Sequence, residues 1–259
     1  SLHDALPIYT RWGKRSVVSA GVGGPSVVFE SGLGSGKEAW ESVFNEVAAH
    51  THAVAYDRAG YGKSDSATRS RDLRQMVREL RAMLQEEEIS PPYVLVGHSL
   101  GGMLVKLFAR AYPGEVAGVV LVDARHSDFS RFCRGVGVPR FLYEPPAALL
   151  LFARAVLRGE LKAAALGAGE IRRAGPFPSV PVAVLTHRKW LCGWPASLGR
   201  IWGASQRNMA KMSSSGRLVM CEGSGHNVHL DRPDAVVQEV LGVVTAARAA
   251  LAARLSVRG

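Results

Sequence analysis

The sequence predicts an α/β fold in which a mostly parallel, twisted sheet carries helices on both faces. Short apolar runs rich in β-branched residues alternate with segments of helix length along the 259 residues. The runs are apolar without interruption, which is typical of strands buried on both faces of a parallel sheet. A chain of this length forms one large domain or two small ones.

Seven runs are predicted to be strands, and five segments are predicted to be helices. The strands are Ser16–Ala20, Ser26–Glu30, Ala53–Tyr56, Tyr93–Gly97, Val116–Val122, Val182–Thr186 and Arg217–Cys221. The helices are Glu38–Ala49, Arg71–Glu88, Leu100–Tyr112, Pro195–Met212 and Pro233–Leu255. The last helix has a proline in its first turn, which helices tolerate, and valines recur along one face of it.

The interval from Ala124 to Val180 breaks this alternation. It contains no clear strand, several prolines and glycines, and an apolar helix candidate around 147–157. Long structureless connections are uncommon inside compact domains, so we expect an insertion over one end of the sheet. The sequence therefore predicts a core of residues 9–123 and 181–259 with a mainly helical lid, 124–180, inserted after the strand that ends at Val122.

Composition excludes several classes of protein. Hydrophobic residues make up 47% and charged residues 21%, which is ordinary for a globular chain and excludes disorder, collagen and coiled coil. Cys133, Cys192 and Cys221 are too few and too scattered for a disulfide framework or a paired-thiolate metal site. The formal net charge of +10 arises along the whole chain, so it indicates solubility and weak nonspecific binding and predicts no specific nucleic-acid partner.

The sequence also carries signals about membranes and location. The longest apolar run, Ala147–Ala153, is far shorter than the ~20 residues of a membrane-spanning helix, so we expect no membrane span. Residues 1–8 resemble a translated sequencing adaptor at a truncated metagenomic reading frame, and we hypothesise that they are foreign to the protein. No signal peptide is visible, so we expect a cytoplasmic protein whose natural amino terminus is missing.

The most informative stretch runs from Tyr93 to Gly102. A buried strand leads into Gly97-His98-Ser99-Leu100-Gly101, and a helix follows at once. In this setting the Gly-x-Ser-x-Gly pattern is typical of a nucleophile elbow, in which the glycines leave room where the turn closes. The elbow would raise the Ser99 hydroxyl above the sheet edge and aim the positive end of the helix dipole at it. Ser99 is therefore the candidate nucleophile.

With this elbow, the chain resembles the α/β-hydrolase superfamily, and its serine esterases and lipases in particular. Three more motifs fall in the family's order. Phe29–Gly34 resembles the oxyanion loop, Tyr56–Ser64 the Asp-Arg-x-Gly-x-Gly-x-Ser turn, and Gly223–His226 the histidine loop. The resemblance implies the α/β-hydrolase fold, with the lid after the family's sixth strand and a triad in the order Ser, acid, His.

His226 is the candidate general base. It follows a predicted strand late in the chain, where the triad order places the histidine, and histidine cycles its proton near neutral pH. His229 is its nearest competitor, and we interpret it as a packing or capping residue at the start of the final helix. His98, inside the elbow, is expected to pack beside the site.

The acid departs from the family's commonest pattern. That pattern places Asp or Glu after the penultimate predicted strand, but His187 follows here, and no carboxylate occurs in residues 171–221. Some members carry the acid after the preceding strand, where Asp123 and Asp128 are available. Asp123 lies at the carboxyl end of its strand, where open α/β sheets gather catalytic groups, so it is our first choice and Asp128 our second. The alternative is that Asp123 only caps the chain or pairs with Arg125.

Backbone amides are expected to bind the oxyanion. The amide of Leu100, directly after the nucleophile, is one donor, and the amide of Leu33, between two glycines, is the other. Two stretches, 32–37 and 60–64, imitate phosphate-binding P-loops. Glu38 replaces the magnesium-binding Ser or Thr of the first, and Asp57 replaces the leading glycine of the second. No histidine pair has the spacing of a helical zinc site, so we expect no cofactor and no metal.

These residues predict a serine hydrolase that cleaves carboxylic esters through an acyl-enzyme intermediate. Serine at the elbow argues against epoxide and halide chemistry, which requires an aspartate nucleophile. The alternatives are an acyltransferase, perhydrolase or lyase with the same triad, and a non-catalytic binding protein on the same fold.

The substrate prediction rests on the apolar lid, which favours a small lipophilic ester. The predicted substrate contacts are Phe129, Phe141, Leu150 and Trp190. An equally good interpretation is that the lid side chains only pack the lid onto the core. The sequence leaves the oligomeric state open.

Overall fold

The computed structural model describes residues 6–144, 154–187 and 195–256 and is built around an eight-stranded sheet. The strands are β1 (Leu6–Thr10), β2 (Gly13–Ala20), β3 (Ser26–Glu30), β4 (Ala53–Tyr56), β5 (Tyr93–His98), β6 (Val116–Val122), β7 (Val182–His187) and β8 (Gly216–Cys221). Their order across the sheet is β1-β2-β4-β3-β5-β6-β7-β8. Strand β2 is antiparallel to β1 and β4, and every other neighbouring pair is parallel. The predicted mostly parallel α/β sheet is confirmed.

The helices follow the predicted pattern. They are α1 (Glu41–Ala48), α2 (Leu73–Glu86), α3 (Leu100–Ala111), α4 (Phe129–Gly135), α5 (Ala155–Leu166), α6 (Ala168–Arg173), α7 (Ala196–Ala210), α8 (Val228–Asp231) and α9 (Pro233–Ser256). The five predicted helices correspond to α1, α2, α3, α7 and α9. Helix α2 begins where it does because the Asp72 carboxylate caps it, accepting a hydrogen bond from the backbone N–H of Gln75 at 2.8 Å.

Both faces of the sheet are buried, as the uninterrupted apolar runs predict. Along β5, Leu95 packs into the cluster that includes α2 and α3, whereas Val94 and Val96 pack into the cluster that includes α1 and α9. Burial of each aliphatic side chain of this kind stabilises the folded state by about 1.5–3 kcal/mol relative to leaving it exposed. The two clusters together hold β5 rigidly in the middle of the sheet, directly before Ser99.

Helix α9 is long and apolar enough to cross a membrane by length and composition alone. Its valines Val236, Val240 and Val243 are fully buried, and the helix contacts β5, β6 and β7. This stripe is the core-facing side of an ordinary packed helix. The absence of a membrane span stays a prediction.

Strand β1 contains residues that we expected to lie outside the fold. It pairs antiparallel with β2, with Ile8 opposite Arg15. The Ile8 side chain is buried in the core and the next one, Tyr9, is exposed, which is the alternation of an edge strand. Residues 6–8 thus belong to the sheet, although the predicted core begins at residue 9, and their foreign origin stays a hypothesis.

Between β6 and β7, the described residues form α4, α5, α6 and a short 3-10 turn at Arg140–Leu142. Helix α4 packs on α7 through Phe129, Cys133, Leu198 and Trp202. The division of the chain into a core and a lid stays a prediction, but α5 has an unusual attachment to the rest of the molecule.

That attachment is a buried ion cluster centred on Arg58, after β4. Its guanidinium donates to Glu160 of α5, from Nε at 2.9 Å and from Nη2 at 3.0 Å, and to Glu30 of β3 from Nη1 at 2.6 Å. The same guanidinium donates to the backbone carbonyls of Ser31 and Gly32, both at 2.7 Å. The side chains of Arg58, Glu30 and Glu160 are at most 3% exposed. A buried charge is stable only when it is paired, so Arg58 must keep these partners. The cluster therefore fixes α5 and the loop after β3 to Arg58.

We expect Glu160→Ala to lower the free energy of unfolding by about 3–5 kcal/mol, because it leaves part of the buried Arg58 charge unpaired. Urea denaturation measures the loss. The matched control is Glu46→Ala on α1, whose exposed carboxylate should change stability by no more than about 0.5 kcal/mol. Equal effects of the two substitutions would contradict the anchoring role of Glu160.

Candidate active site

Ser99 is the single residue between the end of β5 and the start of α3. Its backbone has φ 51° and ψ −113°, a strained conformation for a residue with a side chain. The turn closes so tightly that a Cβ on Gly97 would lie 2.6 Å from the carbonyl oxygen of Gly101. A Cβ on Gly101 would lie 2.3 Å from the carbonyl oxygen of Glu30. The two glycines of the motif are therefore required by the close approach of β3, β5 and α3.

Ser99, His226 and Asp123 lie in one chain of hydrogen bonds. His226, in the loop between β8 and α8, has Nε2 3.1 Å from the Ser99 Oγ. Its other ring nitrogen, Nδ1, lies 2.6 Å from Oδ2 of Asp123, directly after β6. The imidazole is half-exposed, whereas the carboxylate is completely buried. The fold thus brings together three residues that were predicted from the sequence, although His226 lies 127 positions from Ser99 and 103 positions from Asp123.

The Asp123 carboxylate is surrounded by hydrogen-bond donors. Its Oδ1 accepts from the Thr186 hydroxyl at 2.7 Å and from the Trp202 indole N–H at 2.9 Å. Its Oδ2 accepts from Nδ1 of His187 at 2.7 Å as well as from His226. Burial alone would raise the pKa of the carboxyl, but the bonds from His187 and His226 outweigh it and hold the pKa of Asp123 below its ordinary value. The group is therefore an ionised acceptor at neutral pH.

Asp128, the second choice for the acid, lies elsewhere. Its Oδ1 accepts from Nη1 of Arg172 at 2.6 Å, in an ion pair whose arginine is exposed. Arg125, the pairing partner considered for Asp123, instead donates to the Ser130 hydroxyl at 2.8 Å and lies over the Phe129 ring. The geometry therefore favours Asp123 over Asp128.

Two more histidines pack beside His226. The His98 ring centroid lies 4.8 Å from that of His226 and 4.4 Å from that of His229, and its Nε2 lies 3.1 Å from the His226 carbonyl oxygen. Burial, with the neighbouring imidazoles, places the pKa of His98 well below its ordinary value and lowers the pKa of His229 to about 4. His229 also stacks on the buried Trp40, with 4.9 Å between ring centroids. These contacts support the packing interpretation of both residues.

The loop after β3 borders the elbow. A Cβ on Gly32 would lie 3.4 Å from the Cβ of Ser99. Among the described residues, the amides of neither Leu33 nor Leu100 donate a hydrogen bond. Leu100 is in the first turn of α3, where backbone N–H groups have no partner within the helix. Oxyanion binding by these two amides stays a prediction, and Arg58 holds the carbonyl oxygens of Ser31 and Gly32, directly before Leu33.

The predicted substrate contacts lie in different surroundings. Phe129 is buried edge-on against Trp202, with 5.1 Å between ring centroids, so it packs α4 onto α7. Phe141 is exposed. Leu150 and Trp190 lie outside the described residues. Contact of any of the four with substrate stays a prediction.

The two P-loop look-alikes share one carboxylate. Asp57 accepts from Nζ of Lys37 at 2.9 Å and from the Lys37 backbone N–H at 2.9 Å, and both residues are buried. It also accepts from the backbone N–H of Lys63 at 3.3 Å. Because the Lys37 ammonium is already neutralised by Asp57, the glycine-rich loop does not offer it to a phosphate.

Asp123, His187 and His226 have the side-chain types of a metal site, and their ligand atoms lie within 4.8 Å of one another. Both imidazole Nδ1 atoms, however, approach the same carboxylate oxygen at hydrogen-bond distance. A carboxylate accepts only, so each Nδ1 carries a proton, and a metal would have to displace both. The geometry is that of a hydrogen-bond network and not of metal ligands.

Sequence reasoning missed three partners of Asp123: Thr186, His187 and Trp202. His187 ends β7 at the position where the family's commonest pattern carries its acid. A polar residue at the carboxyl end of a buried parallel strand is the available signal, because these strand ends meet at one edge of the sheet. Trp202 has no such signal, since α7 reaches the site only through tertiary packing.

Comparison with known proteins gives the same architecture. The model of the Alpha/beta hydrolase family matches residues 27–239. The uncharacterized protein YqjL of Bacillus subtilis (strain 168) is 26% identical over 228 residues, which is 88% of this chain and 86% of YqjL. The structure of the esterase EaEST from Exiguobacterium antarcticum superposes with a TM-score of 0.66 at 19% identity, covering 93% of this chain and 99% of that one.

A bromoperoxidase from Bacillus anthracis has a similar fold, with a TM-score of 0.67 at 16% identity over 93% of this chain and 100% of that one. Similarity at this level of identity concerns the fold alone. The family match covers most of the chain and includes the elbow, Asp123 and His226. The chain therefore belongs to the alpha/beta hydrolase family.

Proposed function

We propose that the protein is a serine hydrolase that cleaves carboxylic esters, with Ser99 as nucleophile, His226 as general base and Asp123 as the acid of the triad. The observation that carries the proposal is the continuous chain of hydrogen bonds from the Ser99 hydroxyl through His226 to the buried, ionised Asp123. The solved esterase EaEST, which has the same fold, supports an ester substrate.

In the first half of the reaction, the Ser99 Oγ forms a bond to the ester carbonyl carbon while Nε2 of His226 takes the hydroxyl proton. The amides of Leu33 and Leu100 donate to the oxyanion, and loss of one such donor typically costs about 10²–10³ in rate. Asp123 keeps the proton on Nδ1 and stabilises the imidazolium, but does not itself take the proton. Collapse of the intermediate breaks the ester C–O bond, and Nε2 gives its proton to the departing alcohol.

In the second half, the acyl group is an ester of Ser99. His226, again neutral, takes a proton from water as the water oxygen attacks the acyl carbon. The second intermediate releases the carboxylic acid, and the proton on Nε2 returns to Ser99. Because the imidazole of His226 is half-exposed, water can reach it for this step.

The choice of acyl acceptor separates this function from its runner-up, perhydrolysis. Hydrogen peroxide in place of water would release a peracid from the same acyl-enzyme, and the bromoperoxidase of similar fold supports this candidate. Measuring peracid and carboxylic acid from one ester in the presence of peroxide compares the two acceptors directly.

We expect Ser99→Ala to lower the hydrolysis of p-nitrophenyl esters by about 10³-fold or more, since no nucleophile remains. The measurement is kcat/KM over a series of esters with increasing acyl length, which also tests the preference for a lipophilic acyl group. Ser127→Ala, a partly exposed serine near the same sheet edge, is the control and should keep full activity. Undiminished activity of Ser99→Ala would refute the nucleophile assignment.

Asp123→Asn is expected to lose about 10⁴-fold in kcat, because an amide can donate to the imidazole and favour the wrong tautomer. Asp128→Asn removes ion pairs with the exposed arginines Arg172 and Arg131 and should retain most of the activity. Steady-state kinetics of the two variants on one ester make the comparison. A larger loss in Asp128→Asn would transfer the role of the acid to Asp128.

A further inference from the structure

One oxygen of Asp123 serves two imidazoles. Its Oδ2 lies 2.6 Å from Nδ1 of His226 and 2.7 Å from Nδ1 of His187. The His187 side chain is buried, and its ring centroid lies 6.3 Å from that of His226. In the mechanism described above, only His226 has a chemical task.

We propose that His187 is a positioning residue that fixes the orientation of the Asp123 carboxylate. By donating to the same oxygen, it also reduces the stabilisation that the carboxylate gives to the protonated ring of His226. The proposal rests on the proposed function, because it assigns a role within the same triad. Its basis is the shared oxygen: when Oδ2 accepts a hydrogen bond from His187, it carries less negative charge toward His226. A carboxylate with fewer donors would stabilise the imidazolium more strongly and make His226 easier to protonate.

The remaining contacts of Asp123 define what His187 adds. Thr186 and Trp202 both donate to Oδ1, so they hold one oxygen of the carboxylate. The backbone N–H of His187 approaches Oδ1 as well, at 3.4 Å. The His187 side chain is the second donor on Oδ2, and it fixes the direction in which that oxygen presents its remaining lone pair. His187 thus sets both the orientation and the charge of the atom that binds His226.

The other rings packed against His226 carry no charge near pH 7. The His98 ring packs against the His226 ring, His229 packs behind His98, and the Trp202 indole lies edge-on with 5.7 Å between ring centroids. The imidazoles of His98 and His229 are neutral near pH 7, because burial lowers the pKa of each. A change in His226 titration on substitution of His187 therefore reports the bond to Asp123.

The test compares His187→Leu with His187→Asn. Leucine removes the donor, and we expect the acid limb of the kcat/KM profile to move up by about half a pH unit to one pH unit. Asparagine places an amide N–H near the position of Nδ1, so its acid limb should stay within about 0.2 pH units of the unsubstituted protein. The pH titration of the His226 ring, followed by NMR and assigned with His226→Gln, should show the same two results without any substrate.

Far-UV circular dichroism and urea denaturation establish that both variants are folded. A folded His187→Leu with an unchanged acid limb and unchanged His226 titration would overturn the positioning role. Zinc inhibition of the unsubstituted enzyme that EDTA reverses, and that His187→Leu abolishes, would also overturn it, since the groups would then form a metal site. Failure of the proposed function would look different: Ser99→Ala would keep its activity, whereas the NMR titration would still report on His187.

Discussion

The site depends on one buried carboxylate. Asp123 joins β6, β7, α7 and the loop before α8, because its two oxygens accept from Thr186, His187, Trp202 and His226. A buried, ionised carboxylate is stable only with such a complete set of donors. The requirement works in both directions: the donors keep the charge in place, and the charge determines where the imidazole of His226 lies relative to Ser99.

A second buried charge organises the opposite side of Ser99. Arg58 donates to Glu30 in the sheet, to Glu160 of α5 and to the carbonyls beside Leu33. These bonds fix the carbonyl oxygens of Ser31 and Gly32, directly before Leu33 in the chain. The position of α5 and the shape of the loop after β3 are therefore coupled through a single guanidinium.

Local patterns were enough to predict most of the sheet and the elbow. Buried strands are visible in the sequence as continuous apolar runs. The glycines of the elbow are visible too, because neighbouring backbone atoms leave no room for a side chain at those positions. Asp123 was preferred over Asp128 from its place at a strand end. His187 lies at a strand end, a position that could have indicated its role, whereas Glu160 carries no motif that points to Arg58, 102 positions away. Strand β1 is not among the predicted strands, because residues 1–8 resemble a translated adaptor.

Asp123 and the histidine that ends β7 are best understood as one unit. Strand β6 lies between β5, which leads into Ser99, and β7, so a residue at the end of β6 is one strand nearer to Ser99 than a residue at the end of β7. The end of β7 therefore faces the buried carboxylate of Asp123. A hydrogen-bond donor at position 187 stabilises that carboxylate, whereas a second acid at position 187 would repel it. The lack of an acid at the end of β7 and the imidazole found there thus both follow from the position of Asp123 at the end of β6.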